Sequence, residues 1–207
     1  MKINLASLFA LASLAAFPAQ ADSLVDGSAD AGKSKAVTCV ACHGAEGNSV
    51  NALWPNIAGQ NAAYIQAQLK AFKDGSRSDP LMSSQAMMLS DQDMADLAVY
   101  FEGLPGAAQA VADASLVTRG EALYRGGNTQ TGAAACMACH GPSGRGNPAA
   151  LYPALQGQHA AYTAKQLNAY ADGIRETDGK QRIMRDIAAR LSKEDVEAVA
   201  SYVQGLR

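Results

Sequence analysis

Cys39-Val40-Ala41-Cys42-His43 and Cys136-Met137-Ala138-Cys139-His140 are the two stretches on which the reading of this chain turns. Each has the form C-x-x-C-H, the attachment pattern of a c-type haem, and together they use all four cysteines and two of the three histidines. Two cysteines three apart on a tight turn can present their sulfurs to the vinyl groups along one edge of a porphyrin. The histidine that follows is then held beneath the iron. A zinc site built from two C-x-x-C pairs needs them roughly 15–20 residues apart, whereas 93 residues separate Cys42 from Cys136. A thioredoxin-like dithiol accounts for one pair but not for two, each followed by histidine. Structural disulfides leave the histidines without a role. The expectation is two covalently bound haem c groups, anchored at Cys39, Cys42, Cys136 and Cys139, with His43 and His140 as iron ligands.

Residues 1–21 read as an export signal. Lys2 supplies the positive start, residues 3–17 are mostly apolar, and Ala19-Gln20-Ala21 has the small-x-small form of a cleavage site. Cleavage after Ala21 starts the mature chain at Asp22, outside the cytoplasm, where c-type haem is attached. The apolar stretch is short for a membrane span, and no later segment approaches ~20 apolar residues. Without residues 1–21 the chain has 16 basic and 19 acidic side chains, a net of −3, which argues against a nucleic-acid partner. The charge is uneven: residues 22–104 carry 10 acidic and 5 basic groups, residues 105–207 carry 9 and 11. Such an asymmetry can orient docking to a charged partner; two ordinary solvated surfaces are the alternative.

The second motif laid over the first exposes an internal repeat. The offset is 97 at the cysteines and 98 from Trp54-Pro55 to Tyr152-Pro153, through Gly59-Gln60, Tyr64, Leu69, Gly75 and Arg77 with their counterparts up to Arg175. It becomes 102 from Met82 and Met184 through Leu89-Ser90, Tyr100 and Gly103-Leu104 with theirs, so four residues are inserted in the second half before its methionine. Pro105 and Gly106 after the Gly103-Leu104 stop mark the joint. The expected domains are 22–104 and 116–207, with a linker over 105–115. Each unit is small enough to bury too little surface alone, and aromatics are only 6% of the chain, so a porphyrin would supply the missing apolar bulk.

The pattern is all-α. Ile65, Leu69 and Phe72 recur at helical spacing before Gly75, and Leu167 and Tyr170 repeat this before Gly173. Ser90 with Asp93, and Ser192 with Asp195, suit the start of a last helix in each unit. First helices are expected around residues 29–40 and 117–125, and Gly126 to Gly132 as a surface loop. No stretch has sustained strand alternation.

The sixth iron ligand separates electron transfer from gas binding or catalysis. In the second unit Met137 lies between the cysteines, too close to reach the far face, which leaves Met184. His159 is the other conceivable ligand, but it aligns with Asn61, which points to a surface or helix-start role. Met184 stands eight residues before Ser192, and eight before Ser90 is Met82. Met87 is the second choice; Met87 and Met88 otherwise read as gap-filling core or loop methionines, and Met94 as packing in the last helix. Histidine–methionine ligation raises the potential and leaves no vacant position.

With these residues on the page, the chain resembles the cytochrome c4 family over nearly its whole mature length: paired C-x-x-C-H, the P-x-x-x-G-Q segments Pro55 to Gln60 and Pro153 to Gln158, the methionine loops and the closing helices. The resemblance implies a periplasmic dihaem carrier made of two tandem class I cytochrome c-like domains related by a pseudo-twofold axis. It implies that the Pro55 and Pro153 carbonyls meet Nδ1–H of His43 and His140, and that haem propionates face across the interface. Arg77, Arg175, Trp54 and Tyr152 are candidate propionate neighbours or else ordinary loop and core residues. Class I domains pack an N-terminal Gly and aromatic against the last helix. Gly120 and Tyr124 fit Tyr202, while Gly32 with Ala36 implies a thinner contact with Tyr100.

The function implied is single-electron transfer from a quinol-oxidising complex toward a terminal oxidase, with no small-molecule substrate. Peripheral association with the membrane stays open. The alternatives are a dihaem enzyme, of peroxidase or thiosulfate-oxidising type, and a gas sensor; each needs an open iron position. More negative charge around a haem stabilises the ferric form, so the haem on Cys39 and Cys42 is expected to have the lower potential.

Overall fold

The structure, a computed structural model, describes residues 24–207; the expected export signal and its cleavage site lie outside them. Five helices make up the first half: α1 (Ala29–Lys35), α2 (Val37–His43), α3 (Ala62–Asp74), α4 (Pro80–Met87) and α5 (Asp91–Glu102). The second half repeats them as α6 (Val117–Gly126), α7 (Met137–His140), α8 (Ala160–Ala171), α9 (Ile183–Ala188) and α10 (Lys193–Gly205). Single 3-10 turns lie at Ala114–Leu116 and Pro148–Ala150. Among the described residues the only β pairings are the isolated bridges Asn128 with Ala133 and Asn147 with Tyr152. Among the described residues the fold is all-α, one five-helix module repeated in tandem, as expected.

Local sequence explains where the helices begin and end. Ser90 and Ser192 each cap the following helix by accepting from the amide of the aspartate three residues on, and Asp93 and Asp195 accept in return from the cap amides. Asp79 accepts from the amides of Leu81 and Met82 at 3.1 and 3.2 Å, and Pro80 at the first helical position needs no such partner. Gly75 ends α3 at φ +82°, a conformation that costs glycine nothing. The expected first helix of unit one is two helices, α1 and α2, broken at Ala36.

Two small cores result. The first joins Val25, Ala36, Ala62, Ile65, Leu97, Ala98 and Phe101, the second Leu123, Tyr124, Ala198, Val199, Val203 and Leu206. In each unit the N-terminal helix crosses the C-terminal one at a glycine. A Cβ on Gly32 would stand 2.1 Å from the Asp96 carbonyl oxygen, and one on Gly120 would stand 2.3 Å from that of Ala198. The expected thinner contact in unit one is therefore not a thinner backbone contact. Both units tie these helices by an ion pair, Lys35 to Asp93 and Asp96 at 2.6 Å in unit one and Arg119 to Asp195 at 2.7 Å in unit two; what differs is that unit two adds the Tyr124 and Tyr202 pair, ring centroids 5.5 Å apart.

Residues 105–113 form no helix and run along the second unit. Gln204 donates to the Ala110 carbonyl at 3.0 Å, and the Asp113 amide donates to Ser201 Oγ at 2.7 Å. The Gly126–Gly132 stretch is an exposed hairpin closed by the Asn128 and Ala133 backbones.

Candidate haem centres and the surface between them

α2 carries Cys39, Cys42 and His43 in continuous helix, so cysteines three apart lie on one face. In unit two Cys136 stands at the N-cap of α7 in helical conformation, which gives the same placement from a four-residue helix. All four thiols are free. Burial pushes the Cys39 thiol up and that of Cys136 up to about 11. Among the described residues no group of three or more His, Cys, Asp and Glu side chains converges on a metal-sized site.

The histidines are set identically. His43 Nδ1 lies 2.8 Å from the Pro55 carbonyl oxygen and His140 Nδ1 lies 2.9 Å from that of Pro153. A carbonyl only accepts, so Nδ1 carries the proton and Nε2 keeps its lone pair. No described residue hydrogen-bonds either Nε2. Both rings are buried; burial lowers their pKa and the proline carbonyl partly opposes it. Neutral imidazoles with an aimed, unused lone pair beside two free thiols form a donor set that fits a c-type haem.

Met82 and Met184 occupy the first turns of α4 and α9, both half-buried. The alanine four residues on is fully buried in each case, Ala86 and Ala188, so the two helices seat alike. Met94 is core, as expected. Met87 and Met88 are 69% and 72% exposed where α4 runs into the following loop, so of the two alternatives, core or loop methionines, the pair follows the second. Sequence reasoning missed Arg185 and Asp178. The inserted residues of unit two form a turn in which Asp178 accepts from Arg185 Nε and from its backbone amide, both at 2.9 Å. Arg185 also donates to the Gly179 carbonyl at 2.6 Å. The jump in repeat offset marked the insertion but not its partner.

Between the units the repeat produces a two-fold set of contacts. The Gln60 side chain brackets the Ala154 backbone, accepting at 2.8 Å and donating at 2.9 Å, and Gln158 does the same to Asn56 at 2.9 and 2.8 Å. His159 starts α8 as expected, but it is buried rather than at the surface. Its Nε2 donates to the Ser49 carbonyl at 2.9 Å and its Nδ1 accepts from Gln109 at 3.4 Å, so neither nitrogen is left for a metal.

Arg77 and Arg175 are buried in this interface. Arg77 donates to Gln68, Tyr162 and Gln166, while Arg175 donates to Gln166, Tyr64 and Gln68, all between 2.7 and 3.0 Å. Each guanidinium also lies over a ring of its own unit, Phe72 or Tyr170. Both arginines are thus interface residues rather than ordinary loop ones. Among the described residues neither forms an ion pair with a carboxylate. Burial works against the Arg175 charge, but the phenolic oxygens of Tyr64, Tyr170 and Tyr162 outweigh it and hold it protonated. Burial would push the Tyr64 phenol up; Arg175 and Arg77 reverse that and bring it down.

The cytochrome c family model matches residues 29–105 and again 118–207. Cytochrome c4 of Pseudomonas aeruginosa is 48% identical over 180 residues, spanning 87% of this chain and 89% of its own length. The chain belongs to the cytochrome c4 family. The crystal structure of reduced recombinant cytochrome c4 from Pseudomonas stutzeri superposes with a TM-score of 0.85 at 44% identity, over 88% of this chain and all of that one. A thiosulfate dehydrogenase electron acceptor of Stutzerimonas stutzeri is 38% identical over 81% of this chain and 78% of its own. The protein is a periplasmic dihaem electron carrier with two covalently bound c-type haems, and not an enzyme.

Proposed function

We propose that His43 with Met82, and His140 with Met184, would ligate the irons of the two haems, which thioether bonds at Cys39 and Cys42 and at Cys136 and Cys139 would hold. One observation carries this reading: in both units the histidine Nδ1 is tied to a proline carbonyl, leaving Nε2 with its lone pair, and a methionine sits at the matching turn of the matching helix. Haem supplies the one-electron chemistry. The chain supplies imidazoles that the proline carbonyls orient and make more basic, and thioethers that favour the ferrous state. Asp79 in unit one and Asp178 with Arg185 in unit two fix the turns that carry the methionines. Arg77 and Arg175 provide positive charge at the interface, where the propionates of both haems would balance it.

The domains run over 22–104 and 116–207, and the leader is removed after Ala21. The donor is a quinol-oxidising complex and the acceptor a terminal oxidase, which brings the carrier to the membrane surface through its partners. Among the described residues no helix is long and apolar enough to cross a membrane.

Spectra of the Met82→Ala and Met87→Ala holoproteins test the ligand set. Wild type is expected to show the red-edge sulfur-to-ferric band for two centres and no reaction with carbon monoxide. Met82→Ala loses one of the two and binds carbon monoxide at one site, while Met87→Ala keeps both. Loss of the band in Met87→Ala alone would move the ligand to Met87.

A further inference from the structure

Two peptide groups at the interface each carry hydrogen bonds to both units. The Pro55 carbonyl oxygen, 2.8 Å from His43 Nδ1, shares a peptide plane with the Asn56 amide, and that amide donates across the interface to Gln158 Oε1 at 2.9 Å. The Pro153 carbonyl oxygen, 2.9 Å from His140 Nδ1, shares a plane with the Ala154 amide, which donates to Gln60 Oε1 at 2.8 Å. Each of these histidines is thus joined, through a single peptide, to a glutamine of the opposite unit. Gln60 and Gln158 are counterparts at the offset of 98.

Both glutamines are held on every side. Each Oε1 also accepts from the amide of the next residue in its own chain, Asn61 or His159, at 3.0 Å. Each Nε2 donates to the carbonyl of the residue whose amide it faces, Ala154 at 2.9 Å or Asn56 at 2.8 Å. Two N–H groups converging on one atom and a carbonyl facing the other leave one way round for the side-chain amide. Gln60, Gln158 and Asn56 are buried, so these bonds act in a poorly solvated place. Fastening the units together does not require a bond that lands on the peptide beside each of these histidines, yet it does so twice.

A peptide whose N–H is bonded has a more negative oxygen, and hydrogen bonds in series strengthen one another. Gln158 therefore makes the Pro55 carbonyl the better acceptor, the Nδ1 proton of His43 is drawn further toward it, and the imidazole becomes more basic at Nε2. A more basic ligand favours ferric iron and lowers the potential. We infer that Gln158 is a positioning residue for the centre on His43, and Gln60 for the centre on His140, so that each unit sets part of the other's potential. This rests on the reading of His43 and His140 as iron ligands.

Gln158→Met and Gln60→Met keep the length of the side chain and remove the acceptor. Potentiometric titration of the two holoproteins, with signals assigned to each haem, should give a crosswise pattern. Gln158→Met should raise the potential of the haem on Cys39 and Cys42, its ferrous-to-ferric ratio at fixed poise rising about threefold, and leave that of the haem on Cys136 and Cys139 in place. Gln60→Met should do the reverse. In the ferrous protein the Nδ1–H proton resonance of the histidine opposite each substitution should move upfield and the other stay. A merely loosened interface would move both centres in both variants; that outcome, or a shift confined to the haem of the mutated unit, would overturn the assignment. So would unshifted potentials in variants that keep both sulfur-to-ferric bands. Amide exchange in the wild type needs no variant. Ferric iron draws charge from the imidazole and tightens the whole series, so the Asn56 amide should exchange more slowly in the ferric than in the ferrous protein, relative to the His159 amide on the same oxygen; an unchanged ratio counts equally against the inference. Carbon monoxide binding by the wild type would instead bring down the ligand reading, and this inference with it.

Discussion

An imidazole serves a metal through a nitrogen that keeps its lone pair while a hydrogen bond at the other nitrogen fixes the ring. His43 and His140 meet that condition through Pro55 and Pro153, and His159, whose two nitrogens are both hydrogen-bonded, does not. The first pair was legible because C-x-x-C-H ties residue type to position within five residues. The burial of His159 was not, because its partner Ser49 is 110 residues away. Arg185 with Asp178 was hidden for a related reason, since the pair exists only once the inserted turn has closed. Both side chains are buried, and removing Asp178 leaves the buried Arg185 charge with the exposed Glu176, 2.9 Å from Nη1, as its remaining carboxylate. Asp178→Ala is therefore expected to destabilise unit two by about 3 kcal/mol and to weaken the sulfur band assigned to Met184 while leaving that of Met82. Denaturant titration alongside the absorption band checks both. Full retention of stability and of both bands would show that Arg185 does not hold the methionine turn.

Helix ends were the most readable elements, because caps are local: Ser90 with Asp93 and Ser192 with Asp195 need only three residues to declare themselves. The joining of first to last helix was read through one residue pair, Gly and aromatic, and that underestimated unit one. Its α1 is tied to α5 by Lys35, which bridges Asp93 and Asp96, and by the Ser28 amide, which donates to Asp96 at 2.8 Å. These contacts span more than 55 residues of sequence and leave no periodic trace. They carry a pH dependence. The Lys35 ammonium, followed by the Ser28 amide and Gln92, holds the Asp96 carboxyl down to about 2. A carboxylate with a depressed folded pKa contributes stability that is complete above its unfolded value, ~3.9, and lost as pH falls through the folded one. Unit one should thus weaken between about pH 4 and pH 2. In Lys35→Met the Asp96 pKa rises toward its ordinary value, so that variant should be less stable at pH 7 and flatter across the acid range. Thermal midpoints of the two proteins from pH 7 to pH 2 measure this, and parallel curves would exclude the bridge as the cause.

At the scale of the molecule, the repeat was visible as an offset but its two-fold closure was not. Tyr64 with Tyr162 and Arg77 with Arg175 were matched as copies, yet nothing in one copy says that it will bond to the other. The structure makes Gln68 and Gln166 the shared acceptors of both arginines, so two buried positive charges meet at the junction with neutral partners only. Positive charge fixed in a poorly solvated place disfavours oxidation of any redox centre near it, and one shared by two centres acts on both. The net charge of each unit acts on its own centre instead, and the first unit is the more acidic. Replacing both arginines with glutamine should therefore lower both midpoint potentials, on the order of tens of millivolts, and keep their order, with the haem on Cys39 and Cys42 the lower in both proteins. Arg→Lys at both positions keeps the charge but loses the planar fork, so it should loosen the interface while restoring most of the potentials. Potentiometric titration with signals assigned to each haem resolves the two effects. A shift confined to one centre would place the arginine charge with that haem alone, and a reversed order would show that burial of each haem, rather than the charge of its unit, sets the difference.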